Sequence, residues 1–339
     1  MKKTLTVSIA AYKVENYIRN TLESCVVPDV MDKLEVLVIL DGICDKTPDI
    51  AREYEEKYPK TFRVIVKENG GYGTTVNRGV EEATGKYFKL LDGDDTFDKN
   101  ALIRLMNELE DTDADWVISA KRLIQESDGK SKIAYPVSDD LIDELDGHTM
   151  RAEDVDFDIY SSMWNNTIKT EILKMHLPVL PGNCQYTDEL YNTYFLPYVK
   201  HIKFVLEPVY EYLLRYREPD EETKRKNLEN FIFIRKKELK FFGKVPRTRN
   251  HRTFRYRIKT YYQRLLMAIM GMQPSREMYV KYRQMEDYCK RVAPEIFEEA
   301  IVGGRKIDIL RRTKYNYWAY LVMSKTVKDY IMKDKVSID

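Results

Sequence analysis

The first 120 residues alternate short, apolar, β-rich runs with helix-patterned segments, a rhythm that few architectures accept. Leu5–Ala10 reads as a strand, and Glu15–Cys25 as a helix with Tyr17, Ile18, Leu22 and Cys25 on one side. Further strands are expected at Leu34–Leu40, Phe62–Val66, Lys86–Leu91 and Trp116–Ser119. Helices are expected between them at Thr47–Tyr58, Thr74–Glu82 and Lys99–Leu109. Repeated βαβ units favour an α/β fold with a doubly wound, mainly parallel sheet and helices on both faces. Ligands of such sheets sit outside the carboxyl ends of the strands. That rule singles out Ala11-Tyr12, Asp41-Gly42 and Asp92–Asp95.

With 339 residues the chain is too long for one small core. The expected division is an α/β domain over 1–218 and a basic, mostly helical C-terminal domain over 219–339. The apolar stretch Thr4–Ala11 is short, broken by Thr6 and Ser8, and runs into charged Lys13–Arg19. A buried first strand is therefore expected there, not a secretory signal. The longest apolar run, Leu265–Met272, is far short of the ~20 residues that span a bilayer. Cys25, Cys44, Cys184 and Cys289 form no close pair, which fits reduced thiols and a cytoplasmic location. The four histidines are equally scattered, so no transition-metal cage is suggested.

The sharpest chemical signal is Asp92-Gly93-Asp94-Asp95, delivered onto a turn by an apolar strand. Three carboxylates so close repel one another unless water, a cation or a proton relieves them. Hard oxygen ligands suit Mg²⁺ or Mn²⁺, which take one or two protein carboxylates and complete their shells with water and phosphate oxygens. A calcium loop is disfavoured, since position 96 is Thr and the Gly and distal Glu of such a loop are missing. The alternative is a polar turn in which Asp95 or Thr96 caps the next helix. Asp41-Gly42 offers a carboxylate for a base or ribose, although Asp-Gly is also a common turn. Asn69-Gly70-Gly71-Tyr72-Gly73 leads into a helix and offers backbone N–H groups to phosphate, without being a P-loop or a dinucleotide fingerprint.

In their order and spacing these residues resemble glycosyltransferase family 2, the inverting nucleotide-sugar transferases of GT-A fold. The family's opening Pro-x-Tyr-Asn and Glu-x-Tyr-Leu/Ile is similar to Ala10-Ala11-Tyr12-Lys13 and Glu15-Asn16-Tyr17-Ile18. Its Asp-Asp-Gly block resembles Leu40-Asp41-Gly42. Its Asn-x-Gly, Asn-x-Gly and Ala-x-Gly-Glu-Tyr run resembles Asn69–Gly71, Asn77–Gly79 and Ala83–Tyr87, and its Leu-Asp-Ala-Asp-Asp resembles Leu91–Asp95. Fainter likeness continues at Met163-Trp164-Asn165, Tyr186–Glu189 and Glu207–Tyr212. This chain departs from the pattern at Ala10, Lys13, Leu40, Asn166 and Thr187.

The resemblance implies a donor site at Ala10, Ala11, Tyr12, Glu15, Asp41, Gly71, Asn77, Asp92, Gly93 and Asp94. It implies a divalent cation at Asp92, Asp94 and Asp95, and a UDP-sugar donor by family habit. The catalytic base would be Asp188, with Glu189 as fallback; Asp188 also reads as a helix N-terminal residue favoured by the dipole. A glycan or lipid-linked acceptor is implied, for cell-surface polysaccharide or glycoconjugate synthesis.

Thr223 to Arg264 holds 15 Lys/Arg against two acidic residues, interleaved with aromatics. It reads as a face resting peripherally on anionic lipid at the inner side of the membrane, as a contact for an anionic acceptor, or as the core of a helical or oligomer-forming domain with a solvated basic surface. No nucleic-acid module is recognised, and none is expected as a partner. Two other classes stay open. A nucleotidyltransferase would release pyrophosphate, although no basic Gly-rich loop follows the first strand. A non-catalytic scaffold on a decayed transferase domain fits Leu40 and Thr187, but not the retained Asp92, Asp94, Asp95 and Asp188.

Overall fold

The computed structural model describes residues 3–215, 219–249, 251–300 and 305–334, with side chains described except at 305 and 328–334. Two compact units are present, Met1–Glu218 and Pro219–Asp339.

The first unit opens with β1 (Leu5–Ala11), α1 (Ile18–Ser24), β2 (Leu34–Asp41), α2 (Thr47–Lys57), β3 (Phe62–Lys67), α3 (Tyr72–Glu82) and β4 (Tyr87–Asp92). All eight residues of β2 are buried, as suits a parallel strand covered on both faces. The helix expected from Glu15 begins only at Ile18 because Glu15 is tied into the loop. Its N–H donates to Asp45, and its carboxylate accepts from Lys46 N–H. The unit continues with β5 (Thr96–Phe97), α4 (Lys99–Asp111), β6 (Trp116–Gln125), β7 (Ser131–Ala134), α5 (Ile142–Leu145) and β8 (Thr149–Arg151). It ends with β9 (Asn166–Lys169), α6 (Thr170–His176), α7 (Thr187–Tyr194) and β10 (His201–Leu214). Asp98, not Asp95 or Thr96, caps α4, accepting from Ala101 N–H at 2.9 Å.

Ten strands make one sheet in the order β3-β2-β1-β4-β9-β6-β10-β5, with β7 beside β6 and β8 beside β10. Strands β3, β2, β1 and β4 are mutually parallel, but β9 runs antiparallel to both β4 and β6. The parallel region is thus narrower than the sequence rhythm suggests. Parallel return needs a long crossover, usually helical; the segment between β6 and β9 holds two short strands, β7 and β8, and short helical turns, and comes back antiparallel. Strands β4 and β9 pair at only two positions, Tyr87 with Lys169 and Phe88 with Ile168. The next residue but one on β4's core-facing side of Tyr87, Lys89, is fully buried, and its ammonium donates to the carbonyls of Trp164 (3.0 Å) and Asn166 (3.4 Å). Burial pushes this amine down to about 7.

The second unit is helical: α8 (Glu221–Phe242), α9 (Arg252–Gly271), α10 (Arg276–Val292), α11 (Pro294–Glu299), α12 (Arg305–Arg312) and α13 (Tyr317–Asp334). Asp220 caps α8 and Ser275 caps α10. Within the basic stretch Phe231, Phe242, Phe254, Tyr261 and Tyr262 are core residues, while Phe233 is exposed. Its charges are not one continuous face. Arg235 is buried in an ion pair with Glu238 and lies against the rings of Phe231 and Tyr261. Arg255 pairs with Glu295 and Glu299. Buried Glu286 accepts from Arg311 Nε (2.7 Å) and Nη2 (2.9 Å), and from the hydroxyls of Tyr262 and Tyr315. Among the described residues no helix is long and apolar enough to cross a membrane.

Candidate active site

Strand register gathers the predicted donor residues at one edge of the sheet. Ala10 of β1 stands opposite Asp92 of β4 and Ile39 of β2, and Asp41 of β2 stands opposite Lys67 of β3. Beyond these positions the chain leaves the sheet, opening a cavity of about 380 Å³. Ala10, Ala11, Tyr12, Asp41, Gly71, Asp92 and Asp94 line it, together with Val14, Asn69, Tyr72, Thr75 and Gln185. That volume suits a small-molecule ligand at the carboxyl edge of an α/β sheet.

The Asp41 carboxylate accepts from Gly70 N–H (2.9 Å), Gly71 N–H (2.8 Å) and the Lys67 ammonium. Burial alone would raise its pKa, but Lys67 and the two amides outweigh burial and hold it below the ordinary carboxylate range. Asp41 therefore stays charged and pins the glycine loop to the end of β2.

The acidic turn separates into two roles. Asp92 Oδ1 is buried and accepts no hydrogen bond. Burial pushes the Asp92 carboxyl up to about 6; the charge of Asp188 adds to this, while the Tyr72 hydroxyl and Trp164 indole oppose it. Asp94 also lines the cavity and is ion-paired with Arg215, just past β10. The Arg215 guanidinium lies 4.3 Å over the Tyr17 ring. Asp95, 2% exposed, is engaged with the protein itself. Tyr210 Oη–H donates to its Oδ2 (2.6 Å), and Leu213 N–H donates to its Oδ1 (2.8 Å). The same Tyr210 oxygen accepts from Asp92 N–H at 3.1 Å, so one side chain of β10 clasps the turn at two points. Burial, then the charge of Asp92, raises the Asp95 pKa. The expected three-carboxylate cluster is not assembled: among the described residues no group of three or more His, Cys, Asp or Glu is placed to hold a metal. Asp92 and Asp94 share the cavity, and Asp95 braces the turn from behind.

Asp188 occupies the first turn of α7, after Tyr186 in a left-handed conformation (φ 65) at the N-cap position. It is not the cap. Its charge acts on Asp92 and on Tyr72, whose ionisation is opposed first by burial and then by both carboxylates. Glu189 is buried at 6% exposure. Three expected donor residues lie outside the cavity wall. Glu15 joins the loops after β1 and β2, Asn77 bonds the backbone of Leu180, and Gly93 N–H donates to Ala10 O (3.0 Å). Sequence reasoning missed Tyr72, although the glycine loop around it was a signal. It also missed Arg215, for which no local motif exists.

An open α/β sheet with its cavity at the carboxyl ends of β1, β2 and β4 is the arrangement of the GT-A fold. S. aureus TarS 1–349, solved in complex with UDP, shares this fold with a TM-score of 0.66 at 16% identity, over 98% of this chain and 92% of that one. Another TarS structure, in complex with UDP-GlcNAc, gives a TM-score of 0.62 over the same shares. Putative glycosyltransferase EpsH of Bacillus subtilis is 23% identical over 342 residues, covering 97% of this chain and 96% of the relative. The minor teichoic acid biosynthesis protein GgaB of Bacillus subtilis is 29% identical over 103 residues, 30% of this chain and 11% of GgaB. The family model described as glycosyl transferase family 2 matches residues 6–184. The chain belongs to that family and is a glycosyltransferase; Asp188 lies just beyond the matched stretch.

Proposed function

We propose that this chain transfers a sugar from a UDP-sugar to a hydroxyl of a glycan or lipid-linked acceptor, with inversion at the anomeric carbon. The observation that carries the reading is a cavity lined by Asp92 and Asp94, with Asp188 outside its wall but near enough for its charge to act on the lining residues Asp92 and Tyr72. A nucleotide-sugar donor is supported by the TarS complexes, and an acceptor in cell-surface polymer synthesis by the teichoic acid protein among the relatives.

In this reading Asp188 takes the proton of the attacking acceptor hydroxyl. Asp41 holds the glycine loop that borders the nucleotide. Asp92 and Asp94 would hold a Mg²⁺ or Mn²⁺ ion; the buried, unbonded Oδ1 of Asp92 and the preference of such ions for one or two protein carboxylates fit this. When bound, that cation supplies positive charge against the departing diphosphate. Arg215, ion-paired with Asp94, brings a guanidinium to one of the carboxylates that would hold the ion.

A thermal-shift panel of nucleotides, each with and without Mn²⁺, followed by UDP release from UDP-hexoses, tests the reading. Stabilisation by UDP with Mn²⁺ and release of UDP are expected. Stabilisation by nucleoside triphosphates with pyrophosphate release would instead make the chain a nucleotidyltransferase, and no nucleotide response at all would leave it a scaffold.

A further inference from the structure

The side chain of Asn77 is committed to the chain itself. Its Nδ2–H donates to Leu180 O and its Oδ1 accepts from Leu180 N–H, each at 2.9 Å, across 103 residues of sequence. An amide bonded to both backbone groups of one residue holds it as a neighbouring strand would. Two further points join the segment after Leu180 to the glycine loop. Asn183 N–H donates to Gly70 O (2.7 Å), and a Cβ on Gly73 would stand 2.4 Å from Pro181 O. The segment then passes through two non-glycine residues in left-handed conformation, Asn183 (φ 49) and Tyr186 (φ 65). Such backbone persists where its surroundings hold it, and α7, with Asp188, begins immediately afterwards. From the other side, the amides of Gly70 and Gly71 are held by Asp41, which lines the cavity.

We propose that Asn77 is a positioning residue that couples the donor cavity to Asp188 through Leu180 and the segment that follows it. Donor in the cavity fixes the glycine loop, and the loop passes that order along the bonded segment to the start of α7. The inference rests on Asp188 being the base. It differs from the expectation that Asn77 touches the donor, because its amide group is already bonded on both sides to Leu180.

Hydrogen–deuterium exchange on the full chain, with UDP and Mn²⁺ as the probe, reads the coupling without turnover. In the wild type UDP is expected to slow exchange at 69–73 and also at 183–191. In Asn77→Ala only the protection at 69–73 is expected to remain. Protection confined to 69–73 in the wild type overturns the coupling and leaves the donor site standing, whereas protection at neither segment overturns both. Turnover gives an independent check with the UDP-hexose that releases UDP fastest. Asn77→Ala is expected to lower kcat ~10- to 100-fold, the scale of a misplaced catalytic group, with donor KM changed less than about twofold. In an Asp188→Asn background it should lower kcat no further, since both changes act on one group. A raised donor KM or an additive double variant overturns the proposal, while an Asp188→Asn variant of normal rate removes the base assignment beneath it. Asn77→Asp, which sets a carboxylate against Leu180 O, is expected to behave like Asn77→Ala and serves if the alanine variant does not fold.

Discussion

At Asp188 the expectation is kinetic and specific. Asp188→Asn keeps the size of the side chain and removes its basicity, so sugar transfer should fall by ~10²–10⁴-fold while calorimetry shows UDP binding retained. Near-normal turnover would place the base elsewhere. Asp94→Ala should abolish the gain in UDP affinity that Mn²⁺ confers; an undiminished gain would remove Asp94 from the cation site. Tyr210→Phe tests the clasp, since it strips Asp95 of a donor and Asp92 N–H of an acceptor in a buried place. A loss of ~1–3 kcal/mol in urea unfolding is expected for groups left unsatisfied there. The strand-end acids were legible because they follow apolar runs, where an α/β sheet binds its ligands. The division of labour among them was not. Whether Asp92 or Asp95 meets solvent depends on Tyr210 and Leu213, and Leu213 lies 118 residues further along the chain than Asp95. Arg215 was hidden for the same reason.

Strand β4 carries a test of its own. The Lys89 amine is lowered to about 7 inside the sheet and returns near 10.4 when the chain unfolds. Between those values the unfolded chain binds more protons than the native one, so this group makes stability rise with pH across the window, by up to about 1.4 kcal/mol per pH unit. Lys89→Met should flatten that rise when unfolding is followed by denaturant between pH 7 and 9. A slope equal to the wild type would mean that the amine titrates normally in the native state. Elements with long apolar or amphipathic patterns, from β1 to α4, were readable to within a few residues at their ends. The stretch between β6 and α7 was not, because β9 is only four residues long and owes its place to β4 and β6 rather than to its own pattern. The start of α1 was misjudged because Glu15 bonds to the loop after β2, a partner no helical periodicity reveals.

At the scale of the molecule, the two units meet the problem of charge differently. The sheet unit collects acids at a cavity, whereas the helical unit buries Glu286 behind Arg311 and two tyrosines. Arg311→Met should cost the helical unit ~3–5 kcal/mol, because it leaves a buried carboxylate without its cation. Circular dichroism on the full chain would then show the helical signal melting earlier, and an unchanged transition would mean that the tyrosines suffice. The family resemblance covered the sheet unit, and the helical unit had to be read from charge and aromatics alone. That is why its basic stretch looked like one face, although Arg235 is neutralised by Glu238 within it and Arg255 by Glu295 and Glu299 of α11.

The alignment of β1 with β4 ties chemistry to architecture. Because Ala10 faces Asp92 across the ladder, a slip of β4 by a single residue would set Leu91 or Gly93 opposite Ala10 and take the Asp92 carboxylate off the cavity wall. The same step would pull the Lys89 amine away from the carbonyls of Trp164 and Asn166, so one register seats both the buried amine and the carboxylate at the rim.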